Sequence, residues 1–402
     1  MSNTIHELSD RFAELTGREP DGVWSAPGRV NLIGEHTDYN EGFVLPFAID
    51  RRTRAAVGLR DDNVIRVTST LDGTSIEFPL AELDAAHAAG KIIGWSAYPL
   101  GVAWALGKHG AALASLPGID IMIDSTVPVG AGLSSSAAIE SSVALALNEL
   151  WGLNFAREQL AKVGQLAENA VVGAPTGIMD QSASLLGAAD SAVFLDCRSL
   201  EVQVVPLGLA AAELSILVMD TRVSHSHATG GYAARRAACE AGASAMGAAS
   251  LRDVSVSDLD RARELLDEVT FRRVRHVVTE NQRVLDTVRA LNEEGPLAIG
   301  ALLDASHVSM RDDFEISIPE LDLAVETAKA HGAIGARMTG GGFGGAAIAL
   351  VHRARIAEVE AAVKEAFAAR SFTAPVTFTV TPSMGAQRND TVTDGGKPHD
   401  RR

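Results

Sequence analysis

The sequence predicts an α+β protein of two domains, and three observations carry that expectation. Strand-like and helix-like segments alternate along all 402 residues. A hydrophobic content of 47% against 21% charged residues describes a globular chain long enough for two domains and a sizeable core. The pattern changes around Leu200–Leu207, and Leu214–Met219 opens a second series. The expected division is residues 1–207, residues 208–387, and a polar Gly- and Pro-containing tail, 388–402, expected to be disordered.

In the first series, Ile5–Thr16 reads as an amphipathic helix ending near Gly17. Apolar pieces broken by Pro and Gly fill Val23–Gly34, and a second apolar run spans Phe43–Ile49. Strand patterns follow at Thr53–Leu59, Val64–Thr68 and Ser75–Phe78. Trp95–Gly107 reads as a helix, Ile119–Ile123 as a buried strand, and Phe155–Val172 as a helix closed by Gly173 and Pro175. In the second series, Gly230-Gly231-Tyr232 precedes a helix carrying Arg235 and Arg236. Helical patterns cover about Thr270–Glu293, Leu297–Met310, Pro319–His331 and Ile356–Ala368. Strands are expected at Gly335–Met338, Ala346–Val351 and Val376–Val380, an α+β sandwich with helices on one face.

Composition excludes several classes of function. A formal net charge of −16 without any basic block argues against a nucleic-acid surface. Two cysteines, Cys197 and Cys239, make neither a disulfide framework nor a metal spacing and suit a reducing cytosol. Met1–Asp10 is too polar for a signal peptide, and no apolar run is long enough to span a bilayer. The expected location is cytoplasmic, with no membrane partner.

Candidate chemistry centres on Val127-Pro128-Val129-Gly130-Ala131-Gly132-Leu133-Ser134-Ser135-Ser136, which leads into the apolar run Ala137–Leu147. Glycines let the backbone approach a ligand, serine favours helix N-caps, and the free N–H groups of a first helical turn attract anions. The stretch reads as a phosphate cradle, although an ordinary capped helix would use the same letters. No Walker loop is present, since Gly90-Lys91 and Gly107-Lys108 are followed by Ile92 and His109. An acidic chain handling phosphates must supply local positive charge, for which Arg29 or a divalent ion is the candidate.

Glu35, His36 and Asp38 lie between two apolar runs, where carboxylates and an imidazole can grip a polyol. Glu168 follows the apolar stripe Leu160, Val163, Leu166, Ala167, unusual for a solvated glutamate. Asp180 alone reads most simply as the cap of a short helix Gln181–Leu186. His225 and His227 lack a third ligand nearby and read as a polar loop. Thr339–Gly345 contains G-x-G-x-x-G but opens a strand rather than a helix, so it reads as a tight turn approaching a ligand or another loop.

Three separated motifs, Gly28–Ala48, Pro128–Glu140 and Met338–Ala346, resemble in order and spacing the signatures of the GHMP small-molecule kinases. The first, G-R-V-N-L-I-G-E-H-T-D-Y-N, looks like the galactokinase signature, and the resemblance extends to about Gln387. It implies a two-domain fold, an N-terminal α/β domain like ribosomal S5 domain 2 and a C-terminal ferredoxin-like α+β domain, with the active site between them. It also implies transfer of the ATP γ-phosphoryl group to the C1 hydroxyl of α-D-galactose.

Carried over by motif, Asp180 would accept the sugar proton, and Arg29 would hold Asp180 ionised and offset charge on the phosphoryl group. Glu35, His36, Asp38, Gly177 and Tyr232 match sugar-binding positions. Gly130, Ala131, Gly132, Leu133, Ser134, Ser135, Ser136 and Ala137 match the phosphate loop, and Trp95 and Tyr98 the adenine pocket. Ser136 and Glu168 match positions holding Mg²⁺ on ATP. The implied partners are galactose and Mg·ATP, and the chain is expected to act as a monomer.

Two rivals remain at this stage. One is a kinase for a related sugar such as N-acetylgalactosamine or arabinose. The other is a galactose- and ATP-binding sensor without turnover, against which the intact Ser134–Ala138 and Asp180 speak.

Overall fold

Alternating apolar letters become strands wherever both faces of a sheet find cover. In the computed structural model, which describes residues 2–223 and 228–389, the first part runs α1 (Ser2–Thr16), β1 (Gly22–Asn31), β2 (Phe43–Val44), β3 (Pro46–Leu59), β4 (Val64–Ser69), β5 (Ser75–Pro79), α2 (Leu83–Ala88), α3 (Ala97–Lys108), β6 (Ile119–Ser125), α4 (Ser135–Leu150), α5 (Arg157–Leu166), α6 (Met179–Leu186), β7 (Ser191–Asp196) and β8 (Val202–Pro206). The second runs β9 (Leu214–Asp220), α7 (Ala228–Met246), α8 (Leu259–Leu265), α9 (Glu268–Glu293), α10 (Gly300–Ser309), α11 (Pro319–Ala330), β10 (Gly335–Thr339), β11 (Ala346–His352), α12 (Ile356–Ala369), β12 (Val376–Val380) and β13 (Gln387–Asn389).

The N-terminal sheet has the order β13-β1-β3-β6-β4-β5, and a small sheet β2-β7-β8 extends it. Helices α3–α6 cover one face over the main apolar core, and α1 covers the other through Leu8 and Phe12. The C-terminal sheet has the order β10-β11-β9-β12 with every neighbouring pair antiparallel. Counted within that domain, the order is second-third-first-fourth, the β-α-β-β-α-β arrangement of a ferredoxin-like unit. Strands β9 and β11 carry the continuous apolar runs Ile216–Met219 and Ala346–Val351 because both faces are buried there. Leu217, Met219, Ala347 and Ala349 face the helices of their own domain, whereas Ile216, Val218, Ile348 and Leu350 face Val30, Leu32, Leu45 and Phe47 of the other. A shared apolar core therefore joins the two domains.

Four expectations need correction. Phe43–Ile49 and Thr53–Leu59 are not separate pieces, since β3 runs unbroken from Pro46 to Leu59. The polar letters between them mark an edge, where Arg52 donates to the carbonyls of Ser25, Met384 and Gly385. The helix expected over Phe155–Val172 is α5 followed by a π-helical turn, Ala167–Val172. Gly230 and Gly231 lie inside α7, where a Cβ on Gly231 would stand 2.6 Å from the Phe343 ring, so glycine there marks close packing. Arg388 and Asn389, expected in the disordered tail, pair with Trp24 and Val23 as strand β13, so the chain end returns to the N-terminal sheet. Residues 390–402 lie outside the described residues, as do His225 and His227.

Candidate active site

The three motifs converge because two glycine loops and one bulged strand approach each other closely. Strand β1 carries a bulge between Pro27 and Arg29. A Cβ on Gly28 would stand 2.6 Å from the Leu133 carbonyl, so only glycine lets β1 touch the loop before α4. The Arg29 N–H donates to that carbonyl, and its Nη1 donates to the Gly132 carbonyl at 2.5 Å. The third motif closes from the other domain: a Cβ on Gly340 would come within 3.1 Å of the Gly132 carbonyl. The loop 339–345 thus does approach another loop.

Arg29 presents the rest of its guanidinium to Asp180, with Nε to Oδ1 at 2.8 Å and Nη2 to Oδ2 at 2.9 Å. This two-bond fork fixes the position of a carboxylate and sets a positive charge beside it. The Ser134 hydroxyl donates a third bond to Asp180 Oδ2. Asp180 does not cap α6, as its own letters suggested: the helix begins at Met179, and the carboxylate turns toward Arg29.

Beside this pair lies a cavity of about 220 Å³ lined by Arg29, Glu35, His36, Asp38, Gly177, Asp180 and Tyr232, all expected from the sequence. Gly340–Gly342, from the loop read as approaching a ligand or another loop, complete its walls together with Thr176 and Met179, which were not anticipated. Asp38 faces Gly177 so closely that a Cβ there would overlap its carboxylate. Burial, with the charge of Asp180 added, raises the Asp38 carboxyl from 3.8 to about 6. His36 contacts Tyr39 through Nδ1 at 2.7 Å and the Gly341 carbonyl through Nε2 at 3.2 Å. Burial, helped by His276, holds it down to about 3, so its ring is neutral near pH 7. Tyr232 packs on His36 with ring centroids 4.8 Å apart.

Glu35 lines the cavity, but its carboxylate is committed to protein donors. Oε2 accepts from Asn31 at 2.7 Å and from Arg337, while Oε1 accepts from the Gly340 N–H at 2.8 Å and from Thr339 at 3.3 Å. Arg337 is itself fully buried and also donates to the Asn31 and Leu32 carbonyls. This tie between the domains went unread in the sequence. An arginine inside the apolar strand Gly335–Thr339 was the available signal.

The stretch expected to hold phosphate is the loop before α4. Gly130 and Gly132 have φ of 81° and 72°, and Ser134 takes φ 54° and ψ 55°, a left-handed conformation rare outside glycine. This directs the first N–H groups of α4, from Ser135 to Ala137, outward at the positive end of a 16-residue helix. Ser136 reaches Glu168, whose carboxyl is raised by burial and by Asp180. The π turn carries Glu168 to this point, a distortion often found at functional sites. Glu168 Oε2 accepts from Thr176 at 2.7 Å and from Gln181 at 2.9 Å. Tyr98 lies near Glu168 and Glu140, which with burial push its phenol up. Trp95 sits in a 3-10 turn ahead of α3 with its indole N–H on Thr74 at 2.9 Å. Neither aromatic lines the sugar-sized cavity.

Among the described residues, no helix is long and apolar enough to cross a membrane. The galactose-binding signature of galactokinases matches residues 10–59, the GHMP kinase N-terminal domain residues 97–188, and the GHMP kinase C-terminal domain residues 287–369. A galactokinase of Streptomyces coelicolor is 54% identical over 384 residues, 95% of this chain and 97% of that protein. One from Mycobacterium tuberculosis is 43% identical over 363 residues, 90% of this chain and 98% of that protein. The crystal structure of Lactococcus lactis galactokinase complexed with galactose superposes with a TM-score of 0.89 at 34% identity, covering 96% of this chain and 99% of that one. A mevalonate kinase structure shares the fold at 18% identity and a TM-score of 0.62, covering 90% of this chain and 99% of that one. The chain belongs to the galactokinases of the GHMP kinase family.

Proposed function

We propose that the chain transfers the γ-phosphoryl group of ATP to the C1 hydroxyl of α-D-galactose, with Asp180 as general base and Arg29 as its charge partner. The observation that carries the assignment of roles is the Arg29–Asp180 fork, placed where the cavity meets the phosphate loop. Asp180 accepts the C1 hydroxyl proton as the phosphoryl group arrives, and Arg29 holds the carboxylate ionised and offsets charge on the transferred group. To receive that proton, Asp180 exchanges the Ser134 hydroxyl for the sugar hydroxyl.

Asp38, His36, Tyr232 and the Gly177 backbone orient the sugar. Glu35 takes part by releasing its longest bond, the one to Thr339, to a sugar hydroxyl while Arg337 and Asn31 keep it in place. The N–H groups at the start of α4, with residues 130–137, hold the ATP phosphates. Trp95 and Tyr98 line the adenine end.

Ser136 and Glu168 fit Mg²⁺: one hydroxyl and one carboxylate, both hard oxygen donors, meet beside the phosphate loop, and Mg²⁺ is bound through one or two carboxylates plus substrate phosphates. The chemistry it supplies there is neutralisation of charge on the phosphate oxygens. Two free cysteines, one of them buried, support a reducing compartment, the cytosol, for the enzyme.

The test is ADP release with Mg·ATP over galactose, glucose, N-acetylgalactosamine and arabinose, with phosphorus NMR of the product. Turnover on galactose with a sugar 1-phosphate signal is expected. Galactose binding without turnover would overturn the reading. Asp180→Asn is expected to keep galactose binding and to lose roughly 10²–10⁴-fold in kcat, the usual worth of a positioned base. Near-normal turnover would remove Asp180 from that role.

A further inference from the structure

Behind Glu168 lies a buried polar cluster that the reaction described so far does not use. Gln181 and Glu140 are both without exposure, inside the apolar core between α4, α5 and α6. The Gln181 amide nitrogen donates to Glu140 Oε2 at 2.9 Å and to Glu168 Oε2 at 2.9 Å. Both neighbours present carboxyl oxygens, so the NH₂ end of the amide must face them. Helix α5 makes room for this arrangement with Gly164, where a Cβ would stand 2.8 Å from Gln181 Cγ. Glu140 Oε1 and Gln181 Oε1 have no hydrogen-bond partner among the described residues. Buried polar atoms without partners are unfavourable, and apolar residues would fill the same space without that cost.

We infer that Gln181 and Glu140 are positioning residues for Glu168: the Gln181 amide, anchored on Glu140, holds one oxygen of the Glu168 carboxylate so that the other faces the Mg·ATP site. The inference rests on the reading of Glu168 as a metal-binding carboxylate. Its geometry is specific. Gln181 and Thr176 both converge on Oε2, approaching from two elements, α6 and the loop before it. A carboxylate held on one oxygen keeps its plane, and the partner oxygen keeps a fixed direction.

The placement of Gln181 adds a second consequence. It follows Asp180 directly on α6, so one helical turn sends the base into the sugar cavity and the clamp into the core. Asp180 and Gln181 are therefore placed by the same helix, while Glu168 is reached from it through the Gln181 amide.

The experiment compares Gln181→Met with the unaltered chain, using calorimetric titration of ATP with and without Mg²⁺ and, separately, of galactose. Methionine matches the length of glutamine and removes both hydrogen bonds. Loss of a partner that orients a metal ligand weakens metal affinity by about 10–100-fold. The expected result is a weakening of that order for ATP in the presence of Mg²⁺, unchanged ATP binding without it, and galactose affinity within about twofold. A purely structural role would weaken all three alike, and that outcome overturns the inference, as does no change in any.

Should the methionine variant fail to fold, Gln181→Asn keeps an amide one methylene too short to bridge both carboxyls and is expected to show the same Mg²⁺-specific loss. Glu168→Gln run alongside separates the two ideas. If it leaves Mg·ATP binding intact, the metal reading itself fails. If it weakens Mg·ATP while both Gln181 variants do not, only the clamp fails.

Discussion

Arg337→Met tests the tie between the two domains. The Arg337 side chain has no exposure, and it faces the carboxylates of Glu35, 2% exposed, and Glu280, 0% exposed, the latter 3.8 Å away. Methionine fills similar volume but leaves Glu35 without its cation and the Asn31 and Leu32 carbonyls without a charged donor. Removing one partner of a buried pair costs about 3–5 kcal/mol, because the remaining charge stays uncompensated. Glu280 keeps Arg283 at 2.7 Å, so the loss concentrates on Glu35. The expected destabilisation is about 3 kcal/mol or more. It is measured by urea unfolding with tryptophan fluorescence and near-UV circular dichroism together, so that departure from a single transition is seen. The double variant Glu35→Gln/Arg337→Met removes the stranded charge and should regain about 2 kcal/mol over Arg337→Met, well beyond the ~0.5 kcal/mol scatter of independent sites. Galactose KM should rise in Arg337→Met, because Glu35 also holds the Gly340 N–H at the cavity wall. A loss below about 1 kcal/mol, or a double variant that is simply additive, would refute the account of a buried charge pair joining the domains.

Two further perturbations read the sugar cavity. Asp38 has a folded pKa of about 6, above its ordinary 3.8, so its contribution to stability is fully present below 3.8 and is lost as the pH rises through about 6. Asp38→Asn should therefore melt higher than the unaltered chain above pH 6, converge with it below pH 4, and bind galactose poorly throughout. A variant that melts lower at pH 8 would contradict the burial argument. In the unaltered chain galactose affinity should improve as the pH rises through about 6, while His36, neutral from about pH 3 upward, contributes no step. Gly177→Ala puts a methyl group where the Asp38 carboxylate sits. Galactose KM should rise at least ~10-fold, the effect of a misplaced positioning group, with Mg·ATP KM unchanged; equal changes in both would place the strain elsewhere.

The parts legible in the sequence were those where local letters and local structure share a cause. Gly28, Gly130 and Gly132 mark close approach or positive φ, the continuous apolar runs in β9 and β11 mark a sheet buried on both faces, and the serines mark a helix start. What stayed hidden depends on partners distant in sequence. The role of Glu35 cannot be read without Arg337, 302 positions away, and the pairing of Asp180 with Arg29, 151 positions away, was legible only through the resemblance and not from local letters. Gln181 looked like a polar residue of a short helix, because nothing local says that its amide lies between two carboxyls. The π turn at Ala167–Val172 was equally invisible, since its letters continue the α-helical stripe.

The partners chosen for each carboxylate follow a rule of charge. Asp180, the proposed base, has the Arg29 fork. Glu35, which must not move, has Arg337. Asp38 has the Tyr39 N–H at 2.9 Å and the more distant charge of Arg29 against desolvation and Asp180, and it is lifted to about 6. Glu168 draws hydrogen bonds from neutral donors alone, Thr176, Gln181 and Ser136. An arginine there would cancel the charge that attracts a divalent cation, whereas an amide and two hydroxyls orient the carboxylate and leave its charge free. The same logic explains how a chain of net charge −16 can handle a polyphosphate. Its positive charge is needed only at the proposed point of transfer, where one buried arginine and the start of α4 meet and Ser136 and Glu168 would add a divalent cation.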